Sequence, residues 1–574
     1  MNIKIKRRPQ RRVNSPTGLL LIAPGLVLLV VVFIASMESL LEYSFQQYVP
    51  NGNNIEGTLY SWKAFLGDPA SWRVVRETLV VAALVTAILA VTGYATAYAL
   101  HSMRSALWRN VGLFIVFSTL LFSGIASVYA WQLLLGRVGL INSVLGLLRL
   151  GPYDILYQRT AVVIALVHTL LPVMVFPILN NLRQLDGALA EVADDLGASH
   201  WRTFRKVTLP LSAPGLLAGC QLVFAISVSA FAAPALLGGG RVQVLSNSVY
   251  TLVGVSDFPS ASVAALVLLV IALLTVGVFS LVQGRFGEAD QGGTTATPHQ
   301  PRGVRGLGVW LAAVYAFQLV TVLIVIISSF STVSYGQWPP PGFSNRWYVN
   351  LFQQDGVLNA LQSSLVVAVS VTILSVVIGI MTAVALSRHQ LPFKSLLSSA
   401  IFSPVVVPKI AFGFGAFMLA YRLGLPPDRG ALVLTHLVAC VPFVVVVVSA
   451  ALSRTDRTVE DAAVDLGANR LEAFLRVTLP LILPSVVVGG LFAFLVSFNE
   501  LDLSLFLLSS DQKTLPVWMF NYLNNYQDPT PAALSTLMGT VSVVLVLAAI
   551  PLLVRKRGVA VSPVPPFNNS GDPA

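Results

Sequence analysis

Charge is scarce in this chain. Only 11% of its 574 residues are Asp, Glu, Lys or Arg, where soluble domains carry roughly 25%, and the mean hydropathy of +0.78 excludes an ordinary soluble protein. Cysteine is nearly absent too. Cys220 and Cys440 lie in apolar runs without metal-ligand neighbours, so a disulfide framework is excluded and both read as small buried residues. None of the eight lysines follows a glycine, so the Gly-Lys pair of a phosphate-cradling Walker loop is missing. No stretch reads as a soluble receptor domain, and the few polar residues within apolar stretches argue against a membrane enzyme.

What the chain has in quantity is apolar sequence in bilayer-sized pieces. A spanning helix needs roughly 20 mainly apolar residues, because all its backbone donors and acceptors must pair within the segment. Such runs fall near 17–37, 78–100, 111–135, 160–181, 212–236 and 259–283, then near 307–329, 359–386, 397–421, 431–452, 483–508 and 532–554. The expected fold class is all-α: a polytopic membrane protein of about 12 transmembrane helices, arranged as two pseudo-symmetric six-helix modules. The first run follows a tail holding Lys4, Lys6, Arg7, Arg8, Arg11 and Arg12 with no acidic residue. It is longer than a secretory-signal core and has no small-x-small cleavage site after it, so it is expected to remain as the first span.

With that tail in the cytoplasm, 24 of the 36 basic residues fall in cytoplasmic segments. This bias predicts that both termini are cytoplasmic. The net charge of +11 is thereby mostly topological, and no nucleic-acid partner is expected. The predicted organisation is a basic tail (1–16), a first module (17–284), a Gly/Thr/Pro-rich linker (285–306), a second module (307–555) and a cytoplasmic tail (556–574).

The two modules share a repeat at a constant offset of 270. Glu191-Val-Ala-Asp-Asp-Leu-Gly197, followed by Val207-Thr-Leu-Pro210, matches Asp461-Ala-Ala-Val-Asp-Leu-Gly467, followed by Val477-Thr-Leu-Pro480. Thirteen of the 27 positions from Ala193 to Gly219 are identical to those 270 residues later, without a gap. Both copies follow the fourth span of their module, on the predicted cytoplasmic side. Acidic residues favour the positive start of a short helix, and Gly197 or Gly467 supplies the turn that ends it. A second helix carrying Arg202, Arg205 and Lys206, or Arg470 and Arg476, leads into the next span.

On these residues the chain resembles the type I permeases of binding-protein-dependent ABC importers, whose signature is Glu-Ala-Ala-x3-Gly-x9-Ile-x-Leu-Pro. Val replaces Ile in both copies, Val192 replaces the first Ala, and Asp461 replaces Glu. The resemblance implies that each loop forms a coupling helix seated in a groove of the ATPase, a role that falls on Glu191, Ala193, Gly197, Asp461, Ala462, Ala463 and Gly467. It implies two copies of a separate ATPase subunit that uses ATP and Mg, with no cofactor or metal in this chain. A periplasmic or lipoprotein substrate-binding protein would deliver the solute, and the location would be the bacterial inner membrane. A 12-span secondary transporter is the competing class, and the paired docking signature separates the two.

Ionisable residues inside spans are functional suspects. Asn499, Glu500 and Asp502 fall in the predicted eleventh span and Lys409 in the middle of the ninth. They are candidates for a substrate path or gate, or for a structural ion pair between Lys409 and Glu500 or Asp502. His168 and His436 read as packing or interhelical hydrogen bonds. Phe231-Ala-Ala-Pro-Ala-Leu-Leu-Gly-Gly239 and Ser497-Phe-Asn-Glu500 resemble stretches of the polyamine-importer branch, from which Asn499 and Lys409 depart. Fusion of two modules resembles the ferric-iron and thiamine branches. The resemblance implies a small polar or charged solute, with a polyamine-like cation favoured over ferric iron, thiamine or an aminophosphonate.

Overall fold

The computed structural model describes residues 16–50, 52–185, 192–193, 195–285, 306–334, 337–509 and 512–554. Glu191, the basic tail, most of the linker and the C-terminal tail lie outside them. Among the described residues there is no β-strand, only two isolated bridges, Gln47–Ile55 and Ser331–Phe343. Among the described residues, eleven helices are long and apolar enough to cross a membrane, or twelve counting one bent pair.

The first module contributes α1 (Pro16–Ser44), α2 (Pro69–His101), α3 (Ala106–Phe117), α4 (Gly124–Leu135), α5 (Arg159–Leu182), α6 (Leu209–Ser229), α7 (Leu245–Gly254) and α8 (Phe258–Arg285). The second contributes α9 (Leu307–Ser329), α10 (Val357–Arg388), α11 (Lys394–Phe402), α12 (Lys409–Arg422), α13 (Arg429–Arg454), α14 (Arg457–Asp465), α15 (Leu479–Phe498), α16 (Leu515–Asn525) and α17 (Thr530–Val554).

Local chemistry sets many of these ends. Asp68 caps α2 by accepting from the backbone of Ala70 and Ser71 at 2.9 and 3.2 Å, with Pro69 in the first turn. Asp428 caps α13 through Ala431 N–H at 2.8 Å. Such caps pair backbone donors that the first helical turn leaves free.

Four of the expected spans are not continuous helices. The run at 111–135 breaks between Phe117 and Gly124 through a short 3₁₀ turn. The run at 397–421 is cut into two pieces that meet at 96°. In the second case the cause is legible: Pro404 and Pro408 each remove a backbone donor, and Pro408 disfavours helical geometry at Val407. The fifth run, 212–236, leaves the helix after Ser229 and resumes as a short helix at Ala232–Leu237, and the eleventh run also stops early. Its helix ends at Phe498, and residues 499–508 continue as turns.

Inside each module, three helices meet around one side chain. Met174 of α5 sits between Gly93 of α2 and Gly219 of α6, where an added Cβ would lie 2.5 and 2.7 Å from it. At the position 270 residues on, Val444 of α13 is held between Gly379 of α10, where an added Cβ would lie 2.6 Å away, and Gly489 of α15. Small residues of this kind let helices in a bilayer approach closely enough for dispersion contacts to hold them.

The first helix of each module packs on the other module. Ile22, Leu28, Leu29, Val32 and Phe33 of α1 share a core with Val367, Ala383, Phe412 and Val444, and the Phe33 and Phe412 rings meet edge-on at 5.3 Å. Reciprocally, Trp310 Nε1 of α9 donates to Thr96 Oγ1 at 3.2 Å, and Gln318 Nε2 donates to the Val116 carbonyl at 3.2 Å. His168 is buried and lies 3.0 Å from Thr321 Oγ1 of α9, so it ties the modules together. α1 begins beside His389, past the end of α10, and α9 begins near the end of α2. With helices alternating in direction, both duplicated loops therefore lie at the same end of the bundle.

Candidate functional site

The second duplicated loop is fully described. Asp456 starts α14 by accepting from Thr458 N–H at 3.0 Å, and that contact holds its carboxyl below the usual carboxylate range. α14 ends in a Schellman arrangement: Gly467 N–H reaches the Val464 carbonyl at 2.9 Å and Ala468 N–H the Ala463 carbonyl at 3.1 Å. This geometry requires the left-handed backbone of Gly467, at φ +98°. Asn469 then caps the next turn through Glu472 N–H at 2.8 Å, and a π-helical turn, Phe474–Thr478, leads into α15.

The first copy repeats this where it is described. Gly197 has φ +78°, Ala198 N–H reaches the Ala193 carbonyl at 3.0 Å, and the π-helical turn Phe204–Thr208 recurs 270 residues earlier. Each loop is braced against its bundle. Thr478 Oγ1 donates to Glu460 at 2.9 Å and Arg457 donates to the Ser387 carbonyl at 3.1 Å. In the first copy Phe204 packs edge-on against Tyr94 and Tyr98. The leucine just before each glycine projects outward: Leu466 is 90% exposed and Leu196 83%.

At the bend of the ninth span, Lys409 is the first residue of α12. Its ammonium lies 2.6 Å from Glu500, which sits in the turns after α15 and is only 6% exposed, whereas the Lys409 side chain is 48% exposed. The backbone of Asp502 and Leu503 packs on Gly413, one turn into α12. Asn499 lies in the same segment, its side-chain nitrogen turned back to the Leu495 carbonyl at 3.0 Å. His436 braces the segment, with Nδ1 2.9 Å from Ser497 Oγ and Nε2 3.2 Å from Ser504 Oγ. The first module carries none of this charge. By the matching 3₁₀ turns, Gly124 stands where Lys409 does, and by the 270 offset Ala230 and Ala232 stand where Glu500 and Asp502 do.

On the side of this pair away from the loops, five aromatic rings from both modules form a layer. Phe231 meets Tyr250 at 5.0 Å and Phe520 at 5.3 Å, Tyr250 meets Phe506 at 6.2 Å, and Phe506 meets Phe414 at 5.8 Å. Beyond it opens a cavity of about 820 Å³ whose lining includes Tyr250, Phe520, Asn247, Asn521, Asn524 and Gln243.

Residues 111–287 and 375–558 each match the sequence model of the family described as "Binding-protein-dependent transport system inner membrane component". The chain belongs to this family of ABC importer permeases. The spermidine/putrescine transport system permease protein PotC of Escherichia coli (strain K12) is 31% identical over 243 residues, 42% of this chain and 91% of the relative. The putrescine transport system permease protein PotI of the same strain is 33% identical over 239 residues, 40% of this chain and 84% of the relative. PotB of Haemophilus influenzae (strain ATCC 51907 / DSM 11121 / KW20 / Rd), a spermidine/putrescine permease, is 31% identical over 260 residues, 45% of this chain and 86% of the relative.

In this permease the structure brings Lys409 and Glu500 together and sets Asp502 in the same turn segment, although Lys409 stands at a helix start rather than in mid-span. Of the loop residues, Ala193, Gly197, Asp461, Ala462, Ala463 and Gly467 form two helix-ending turns at one end of the bundle, and Glu191 lies outside the described residues. Sequence reasoning passed over Leu196 and Leu466, although both are among the thirteen repeated identities. It also passed over the aromatic layer, whose five members scatter from 231 to 520 with no shared spacing.

Proposed function

We propose that this chain carries a polyamine-like organic cation inward across a bacterial inner membrane, receiving it from a binding protein and driven by two copies of a separate ATPase. The observation that carries the proposal is the pair of loops. Two copies of one turn, each with an outward leucine before a left-handed glycine, project from the same end of the bundle, as docking to two equivalent ATPase surfaces requires. Glu191, Ala193, Gly197, Asp461, Ala462, Ala463 and Gly467 shape those contacts. Closure of the ATPase pair, with ATP and Mg bound to the partner, pushes on the two loops and rocks the modules against each other. The interlocked α1 and α9 carry that motion from each module to the other. The bias of basic residues supports the loops and both termini facing the cytoplasm.

The substrate reading is supported by the relatives named for spermidine and putrescine and by Glu500 and Asp502, two carboxylates at a helix break deep in the bundle. Acids at that depth are expensive unless they meet a cation. The aromatic layer would close the path toward the outer cavity, whose carboxamides suit a solute arriving from its binding protein. The test is uptake of radiolabelled spermidine and putrescine by cells expressing the transporter. ATP-dependent uptake that collapses on ATP depletion while a proton gradient persists is expected. Uptake driven by the gradient alone would refute the class, and uptake of ferric iron or thiamine in place of amines would refute the substrate.

A further inference from the structure

We propose that Lys409 is a built-in counter-cation. It holds Glu500 while the permease is empty and yields it to an ammonium group of the passing solute, so that Lys409 sets how tightly the cargo is held. This rests on the organic-cation reading above.

The asymmetry of the pair points this way. Glu500 is fixed in the buried turn that follows α15, while the Lys409 stem is half exposed beside it. The acid is therefore the stationary partner. Lysine carries a point charge on a flexible four-carbon stem and leaves a carboxylate more easily than a forked guanidinium does. Its placement makes leaving easier still. Lys409 is the first residue of α12, Pro408 before it offers no side-chain cap, and a helix start is the positive end of the helix dipole. An ammonium at that point is repelled by its own helix, whereas the carboxylate beside it is favoured there with or without Lys409.

The charge count of the cluster is also unbalanced. Asp502, two residues beyond Glu500, makes no hydrogen bond or ion pair among the described residues, and the charged groups nearest it are Glu500 and Lys409. The neighbouring His436 has both ring nitrogens occupied by serine hydroxyls. Two acidic side chains thus share one protein cation. A structural ion pair needs no second acid, but a seat for a di- or tricationic amine does: one ammonium displaces Lys409 from Glu500 and another meets Asp502. The first module has Gly124, Ala230 and Ala232 at the equivalent positions, with open space around the Cβ position of Gly124, so the seat is single and lies in the second module.

A competitor that occupies the site most of the time lowers the apparent affinity by the fraction of time the site is free. Removing it should tighten binding by roughly 10–100-fold if the tether is closed for about 90–99% of the time. The experiment measures equilibrium binding of putrescine and spermidine to the full chain in nanodiscs, together with uptake by the reconstituted complex. Lys409→Met is expected to bind both amines at least tenfold more tightly and to turn over more slowly, because release weakens. Lys409→Arg should not show the gain, and Lys409→Met combined with Glu500→Gln should abolish it. Lys409→Gln serves as a second variant, with inserted amount and thermal unfolding checked for each. Unchanged or weaker amine binding by a well-folded Lys409→Met or Lys409→Gln protein, against a wild type that transports amines, would overturn this proposal alone. A wild type that neither binds nor transports either amine would overturn the substrate reading and this inference with it.

Discussion

Replacing Gly467 by valine isolates the mechanical role of the docking turn. Gly467 holds φ +98°, and a Cβ added there would meet nothing within 4 Å. The substitution therefore introduces no clash, and its whole effect is backbone strain. Holding an ordinary residue in a left-handed conformation costs about 1–2 kcal/mol, and β-branched residues tolerate it least. Relaxing that strain means giving up the bonds from Gly467 to Val464 and from Ala468 to Ala463, each contributing about 1 kcal/mol. The turn should be lost in a large fraction of molecules, since each 1.4 kcal/mol shifts the balance about tenfold. The assay combines amide exchange over residues 457–468 with uptake and ATPase activity in the reconstituted complex. Expected are faster exchange confined to this loop, normal membrane insertion, and ATP hydrolysis no longer matched by uptake. Gly467→Asn, which tolerates left-handed geometry, should retain more coupling. A Gly467→Val protein with a demonstrably frayed loop and wild-type uptake per ATP would refute the docking role.

Leu466→Asp should weaken retention of the ATPase in pull-downs about 10–100-fold, the equivalent of losing a buried leucine contact of ~1.5–3 kcal/mol, and Leu196→Asp should do so independently. Retention unchanged in the double variant would move the docking surface elsewhere. Gly379→Val places a side chain against Val444 and should cost about 1–3 kcal/mol of packing, read as a lower unfolding temperature of the detergent-solubilised chain. The same temperature in both proteins would mean that α10 and α13 separate freely. Phe506→Ala opens the aromatic layer between the ion pair and the outer cavity and should raise ATPase activity in the absence of the binding protein; activity held at the wild-type level would show that the layer is not a gate.

The duplicated loop was the most legible part of the chain because its geometry is local. A left-handed glycine that ends a helix acts within five or six residues, so Gly197 and Gly467 declare their role in sequence and recur at the offset of 270, whereas the cap supplied by Asp456 emerged from the structure. The spans were legible for a related reason: burial of the backbone in lipid demands uninterrupted apolar length. The same rule hid the breaks. Val405, Val406 and Val407 are as apolar as any spanning segment, so hydropathy ran straight through a bend that Pro404 and Pro408 impose.

The candidate substrate site was half visible. Lys409, Glu500 and Asp502 stood out as rare charges in apolar runs, but their pairing joins positions 91 residues apart, and sequence offered either acid to Lys409. The structure chose Glu500 because the helix ends at Phe498 and the following turn is braced by His436.

Sequence by itself determined that this chain crosses the membrane many times in two modules that share a repeated loop, because hydropathy and repeat identity are properties of short stretches; that it is a permease rested on the resemblance those loops carry and on the family match. Tertiary structure alone decided that each module's first helix packs on the other module, that five scattered aromatics come into contact, and that Lys409 pairs with Glu500 rather than Asp502. Helices such as α8 and α17 are apolar on every side, so their sequences do not distinguish the face that meets lipid from the face that meets protein. Only the packing of the assembled bundle makes that distinction.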